Sequence, residues 1–235
     1  MIVMAIIAIL LVLIAPAFTT IKGGINVTSA ANTVKSVLDT ARTYAKANNT
    51  YTWVGFYEEN VANPTSPNAD SPKVGRLVMS IVASKDGTML YTGNLTSSLT
   101  LDASPNQAAL IQLGKLTKFE NVHLKTFAAG SGAGVTFDTR PAVSSTAAQI
   151  GDNAPPNPSL TFHYPAGSSS PQYTFVKAVQ FSPRGEAVIT NASYQLTTVS
   201  EIGLQPTHGT TVDTGPNVVA IQFGGVGGDV IIYRK

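Results

Sequence analysis

Three histidines, His123, His163 and His208, and three loop aspartates, Asp138, Asp152 and Asp213, are the side chains of this sequence best suited to acid–base or metal chemistry. No His-Glu-x-x-His or comparable ligand spacing joins the histidines, so each reads as a strand or turn residue rather than a catalyst. The aspartates offer the oxygen ligands that Ca²⁺ prefers, but no paired-oxygen spacing sets them in one loop. Gly130-Ser-Gly-Ala-Gly134 has the small residues of a phosphate cradle without the Gly-Lys-Ser/Thr ending that grips phosphate, and it is not Gly-x-Ser-x-Gly. Gly224 to Gly228 lies between two apolar runs, where turn geometry accounts for it. The chain has no cysteine, which removes thiol catalysis, disulfides and thiolate-held metal. A formal charge of +2 without basic clusters argues against nucleic-acid binding. No catalytic, cofactor or metal constellation results, and the chain reads as non-enzymatic.

The elements that would position these residues are mostly strands. Thr50 to Tyr57 and Arg76 to Ala83 are dense in β-branched and aromatic residues. Lys85-Asp86-Gly87 is a hairpin signal before a short strand from Thr88 to Tyr91. Asn121 to Phe127, Leu160 to Tyr164, Tyr173 to Phe181, Glu186 to Ile189, Gln195 to Leu204, Asn217 to Phe223 and Asp229 to Tyr233 complete the series. Between them, Asn60 to Lys73 and Thr136 to Ser159 are proline-bearing loops. Ahead of the strands, Ala30, Ala31, Val34, Val37, Leu38, Ala41, Tyr44 and Ala45 recur at helical spacing, with Lys35, Ser36, Asp39, Arg42, Thr43 and Lys46 on the opposite face. Thr28 or Ser29 serves as N-cap and Asn48-Asn49 as the stop. Two parts follow: an N-terminal assembly or transmembrane helix over 1–49 and a globular β-rich domain over 50–235.

The first eighteen residues, Met1 to Phe18, carry no charged side chain, and the first is Lys22. A helix of that length spans roughly 27 Å, close to the hydrocarbon core of a bilayer. Three readings compete. A cleaved signal peptide finds small residues at Ala15-Pro16-Ala17 but no basic residue ahead of the run. A plain membrane anchor fits the length, with Pro16 an odd choice in its last turns. The third is an assembly helix, with helix-to-helix contacts carried by Ile2, Val3, Ile6, Ile7, Leu10, Leu13 and Ile14 and a local break in the backbone ladder at Pro16.

Met-Ile-Val-Met-Ala-Ile-Ile-Ala-Ile-Leu followed by Pro16 resembles the N-terminal signature of type IV pilins and type II secretion pseudopilins. Thr40-Ala-Arg-Thr-Tyr-Ala45, Phe181-Ser-Pro-Arg-Gly185 and the final hairpin closing in Tyr233-Arg234 loosely resemble the H-type minor pseudopilins. The sequence departs from the family in lacking the basic leader, the peptidase site ending in Gly and the acidic residue two positions before the match to Met1. That departure implies a start assigned at an internal Met. The resemblance implies an α+β fold: a long hydrophobic-to-amphipathic N-terminal helix packed on a mainly antiparallel β-sheet domain. It implies a structural subunit of a type IV pilus-like or secretion pseudopilus filament, with a methylated N-terminus. The subunit would be held as a single-pass protein in the inner membrane before it enters a periplasmic or cell-surface filament. Partners would be other pilin or pseudopilin subunits, the inner membrane and its assembly machinery. A secreted or membrane-anchored β-rich binding or adhesion module with a signal peptide is the alternative.

Overall fold

The computed structural model describes residues 26–64, 74–89, 99–100, 109–132, 134–153, 160–166, 171–189 and 197–235. One α-helix, α1, occupies residues 26–47. Val27, Ala30, Ala31, Val34, Leu38, Ala41 and Ala45 are each at most 1% exposed, and their three-and-four spacing puts them on one stripe. The helix stops at Asn48-Asn49. Asn49 takes a left-handed φ of 48°, and the Thr50 amide donates back to the Ala45 carbonyl at 3.0 Å, the kind of closure that satisfies a helix's last carbonyls.

Among the described residues thirteen strands follow: β1 Thr52–Asn60, β2 Gly75–Ser84, β3 Leu99–Thr100, β4 Leu110–Leu124, β5 Gln149–Ile150, β6 Leu160–Tyr164, β7 Tyr173–Phe175, β8 Lys177–Phe181, β9 Ala187–Val188, β10 Ser200–His208, β11 Thr211–Val212, β12 Val219–Phe223 and β13 Val230–Arg234. The main, ten-stranded sheet runs β13-β12-β10-β4-β2-β1-β8-β9, with β11 and β5 pairing on β10. All its pairs are antiparallel except β10 with β5. Strand β1 pairs along its whole length with β2 and over five residues with β8. One face of this sheet meets α1 in the largest core, built from Val54, Phe56, Leu77, Met79, Val179, Ile202, Ile221 and their neighbours. The other face carries a second core, in which Trp53, Val78 and Val82 meet Phe162, Tyr173 and Phe175 of the small sheet β3-β6-β7.

The architecture corrects the α+β reading of a long helix packed on a sheet. Among the described residues strand outweighs helix, 44% against 16%, and they form a mainly antiparallel β structure with one α-helix packed on it. The physical reason is that helical periodicity covers only the amphipathic stretch, whereas β-branched and aromatic runs recur to the end of the chain. The membrane reading is corrected as well. Among the described residues no helix is long and apolar enough to cross a bilayer. Helix α1 carries Lys35, Asp39, Arg42 and Lys46, four charges whose transfer into lipid is costly. A transmembrane helix and a single-pass inner-membrane location therefore find no counterpart among the described residues, nor do the pilin and secretion assignments built on them. The assembly residues Ile2, Val3, Ile6, Ile7, Leu10, Leu13, Ile14 and Pro16 lie outside the described residues.

Candidate functional site

The densest gathering of ionisable groups forms where β1, β4, β8 and the segment after β5 converge. Glu58 projects from β1, and its Oε1 lies 2.7 Å from His123 Nδ1 on β4. Its Oε2 accepts the Leu124 amide at 3.2 Å. On the far side of the imidazole, Nε2 stands 3.8 Å from Asp152 Oδ2. Asp152 in turn accepts Lys125 Nζ at 2.6 Å and the Thr126 amide at 2.9 Å. Lys177 of β8 closes the group by donating to the Gly151 carbonyl. Four separate pieces of chain thus tie one histidine between two carboxylates.

Burial sets the electrostatics. Removal from water raises the Glu58 carboxyl above its ordinary value, a rise only partly offset by His123 and the Leu124 amide. Burial likewise depresses the Lys177 ammonium, against the pull of Glu58 and Asp152. Burial alone would raise Asp152, but the bonds from Lys125 and Thr126 prevail and hold it below the usual aspartate value. Nearby, Tyr57 is pushed up to about 12, first by burial and then by Glu59 and Tyr173.

Beside this network, residues 125–129, 143, 145–146, 149 and 152–153 border an open cleft of about 470 Å³. Lys125, Thr126, Gln149 and Asp152 in its walls are bonded within the protein. Gln149 Nε2 donates to the Phe127 carbonyl at 3.0 Å and to Glu201 at 3.3 Å. Behind it lies a buried ion pair: Arg140 Nε donates to Glu201 Oε2 at 2.6 Å, and its other nitrogens take the Phe137 and Ala128 carbonyls. Arg140 is 2% exposed and Glu201 1%. Losing one partner of such a pair leaves a costly stranded charge.

The residues singled out from the sequence are thereby placed. His123 enters the network. His163 lies on β6, and His208 ends β10, half-exposed and 4.0 Å from Asp213. The three aspartates serve different partners: Asp138 takes Lys235, Asp152 takes Lys125, and Asp213 accepts the Gly215 amide. Among the described residues, no three His, Cys, Asp or Glu side chains gather in a way that could hold a metal ion. In the Gly130–Gly134 loop, the amides of Ser131, Gly132 and Gly134 donate to the carbonyls of Asp138, Arg140 and Thr139. Those donors are committed to a local hairpin-like closure, so no phosphate cradle is presented. Gly228, at φ 66°, closes the β12–β13 turn by donating to the Gly224 carbonyl.

Sequence reasoning did not find Glu58, Lys177, Arg140 or Glu201. A charged residue in the midst of a β-branched run is the one available signal, and Glu58-Glu59 after Trp-Val-Gly-Phe-Tyr carries it. Its meaning depends on a partner 65 residues away. No protein-family model, curated protein or solved structure matches the chain.

Proposed function

We propose that the protein is a non-catalytic structural subunit that builds a filament from copies of itself, with residues 1–18 as the assembly element. The observation that carries this reading is the anchorage of α1. Seven of its side chains are part of the main core, and Lys35 Nζ and Arg42 Nη1 reach Val230 and Asp229 at the other end of the chain, at 2.7 and 3.0 Å. A pull on the chain ahead of this helix is carried into the main sheet through that core. The segment itself is eighteen residues without a charged side chain, and each isoleucine or leucine it buries against a neighbour contributes about 1.5–3 kcal/mol. The ionisable cluster also supports a structural role, because Glu58, His123, Lys125, Asp152 and Lys177 each already hold a partner within the protein. The same holds for the cleft at 125–153, where a binding module would have its site: Asp152 and Gln149 are already engaged by the protein.

The test is the full chain against its Ile7→Asp variant, followed by sedimentation and electron microscopy. Filaments are expected from the first and none from the second, with near-ultraviolet circular dichroism the same for both. An unaltered filament yield from Ile7→Asp overturns the proposal.

A further inference from the structure

One edge of the main sheet is a five-residue strand, β13, whose outer side no described strand pairs. The opposite edge, β9, is only two residues long. The phase of β13 follows from its neighbour. The Lys235 amide donates to the Val218 carbonyl, so residues 231 and 233 exchange their backbone bonds with β12 and residues 230, 232 and 234 turn theirs outward. The Val230 carbonyl confirms that phase, since it accepts Lys35 Nζ from outside the sheet at 2.7 Å. The side chain of Ile231 is 53% exposed although it pairs across from the buried Gln222. A five-residue edge of the sequence Val-Ile-Ile-Tyr-Arg, with one exposed isoleucine and a row of outward donors and acceptors, is a template for another strand.

We infer that β13 pairs with β13 of a second copy of this chain, antiparallel about Ile232, joining two ten-stranded sheets into one. The strand is self-complementary in that register. Val230, Ile232 and Arg234 of one copy meet Arg234, Ile232 and Val230 of the other, and all six residues present outward backbone groups, enough for about six hydrogen bonds. Charges agree with the same register: Asp229 at the start of β13 falls beside Arg234 and Lys235 at its end in the partner. Ile231 falls opposite the partner's Tyr233, extending the small core of Phe137, Val218, Ala220 and Tyr233 across the twofold axis. A parallel arrangement would instead set Arg234 and Lys235 against themselves. The Lys35 contact persists, because the Val230 carbonyl has a second lone pair to offer the partner's amide. This interface stands apart from residues 1–18 and survives if the filament reading fails.

The experiment uses the full chain carrying Ile7→Asp, so that filament formation does not obscure the result, in sedimentation equilibrium from about 1 to 100 µM. A dimer is expected. Ile232→Pro removes one outward amide while leaving the β12 ladder untouched, and Ile231→Glu places a charge opposite the partner's Tyr233 at a position exposed in the monomer. Each should weaken the dimer at least about tenfold, with unchanged near-ultraviolet circular dichroism; should Ile232→Pro fail to fold, Ile231→Glu decides alone. A chain that remains monomeric throughout the range overturns the inference, as does a dimer indifferent to Ile231→Glu. Loss of filaments in Ile7→Asp with the dimer intact bears only on the filament and leaves both readings standing.

Discussion

Glu58 shows what a single carboxylate does when strands enclose it. It accepts from the Leu124 amide and meets His123, so its removal leaves partly buried groups without partners, at a cost of about 1–3 kcal/mol. Burial raises its folded value, so the native state holds that proton more tightly than the unfolded chain does. The resulting stability is present in full below the ordinary glutamate value of 4.5 and is lost as pH rises through the raised one. Asp152 acts with the opposite sign and in a lower window: its contribution is present above the ordinary value of 3.8 and is lost as pH falls through the depressed one. Above pH 4.5 the two effects therefore separate. Glu58→Gln, which has no proton to release, is expected to flatten the decline in urea-unfolding free energy between pH 4.5 and neutrality. Parallel profiles for wild type and variant would contradict that account.

At the scale of elements, the contact between the two sheets depends on a missing side chain. Gly55 lies mid-strand in β1, and a Cβ there would stand 2.5 Å from Phe175 Cγ and 2.6 Å from Phe162 Cζ. Those two rings stack with centroids 5.0 Å apart and have no room to retreat. Gly55→Ala is expected to destabilise the protein by about 1–3 kcal/mol, read as a lower urea midpoint with near-ultraviolet changes from the aromatic core. The strands that were legible from the residues are those with dense apolar or β-branched runs, such as β1, β2, β6, β12 and β13. Strand β4 was legible only at its end, because Leu110 to Glu120 is largely half-exposed and Gly114, at φ 73°, breaks its alternation. It is held by the backbone ladder to β2 more than by a buried face. The run from Tyr173 to Phe181 reads as one strand but divides at Val176, since Tyr173–Phe175 joins the small sheet and Lys177–Phe181 the large one. No periodicity marks that exchange. Of the short strand expected at 88–91, residues 88–89 are not in a strand and 90–91 lie outside the described residues.

For the molecule as a whole, the helix forms one wall of the main core, and the sheet cannot close that core without it. Val34, fully buried at the middle of the stripe, is the position where this is best tested. Val34→Asp buries an unpaired carboxylate, whose cost of several kcal/mol rivals the whole stability of an ordinary domain. Loss of a cooperative thermal transition is expected, and a cooperative melt near the wild-type midpoint would contradict the helix's place in the core. The helix stripe was plain in the sequence; that it would meet β12 and β13 was not, because such pairing lies some two hundred residues away along the chain. That distance has a consequence for how the protein is made. Lys35 is translated 195 residues before Val230, the carbonyl it will hold. At about 5–20 residues per second, a ribosome leaves the apolar stripe of α1 without its C-terminal cover for roughly ten to forty seconds. During that interval the nascent chain is most exposed to wrong partners and to proteases, so its yield in a cell is decided by what shields the stripe before the last strand emerges.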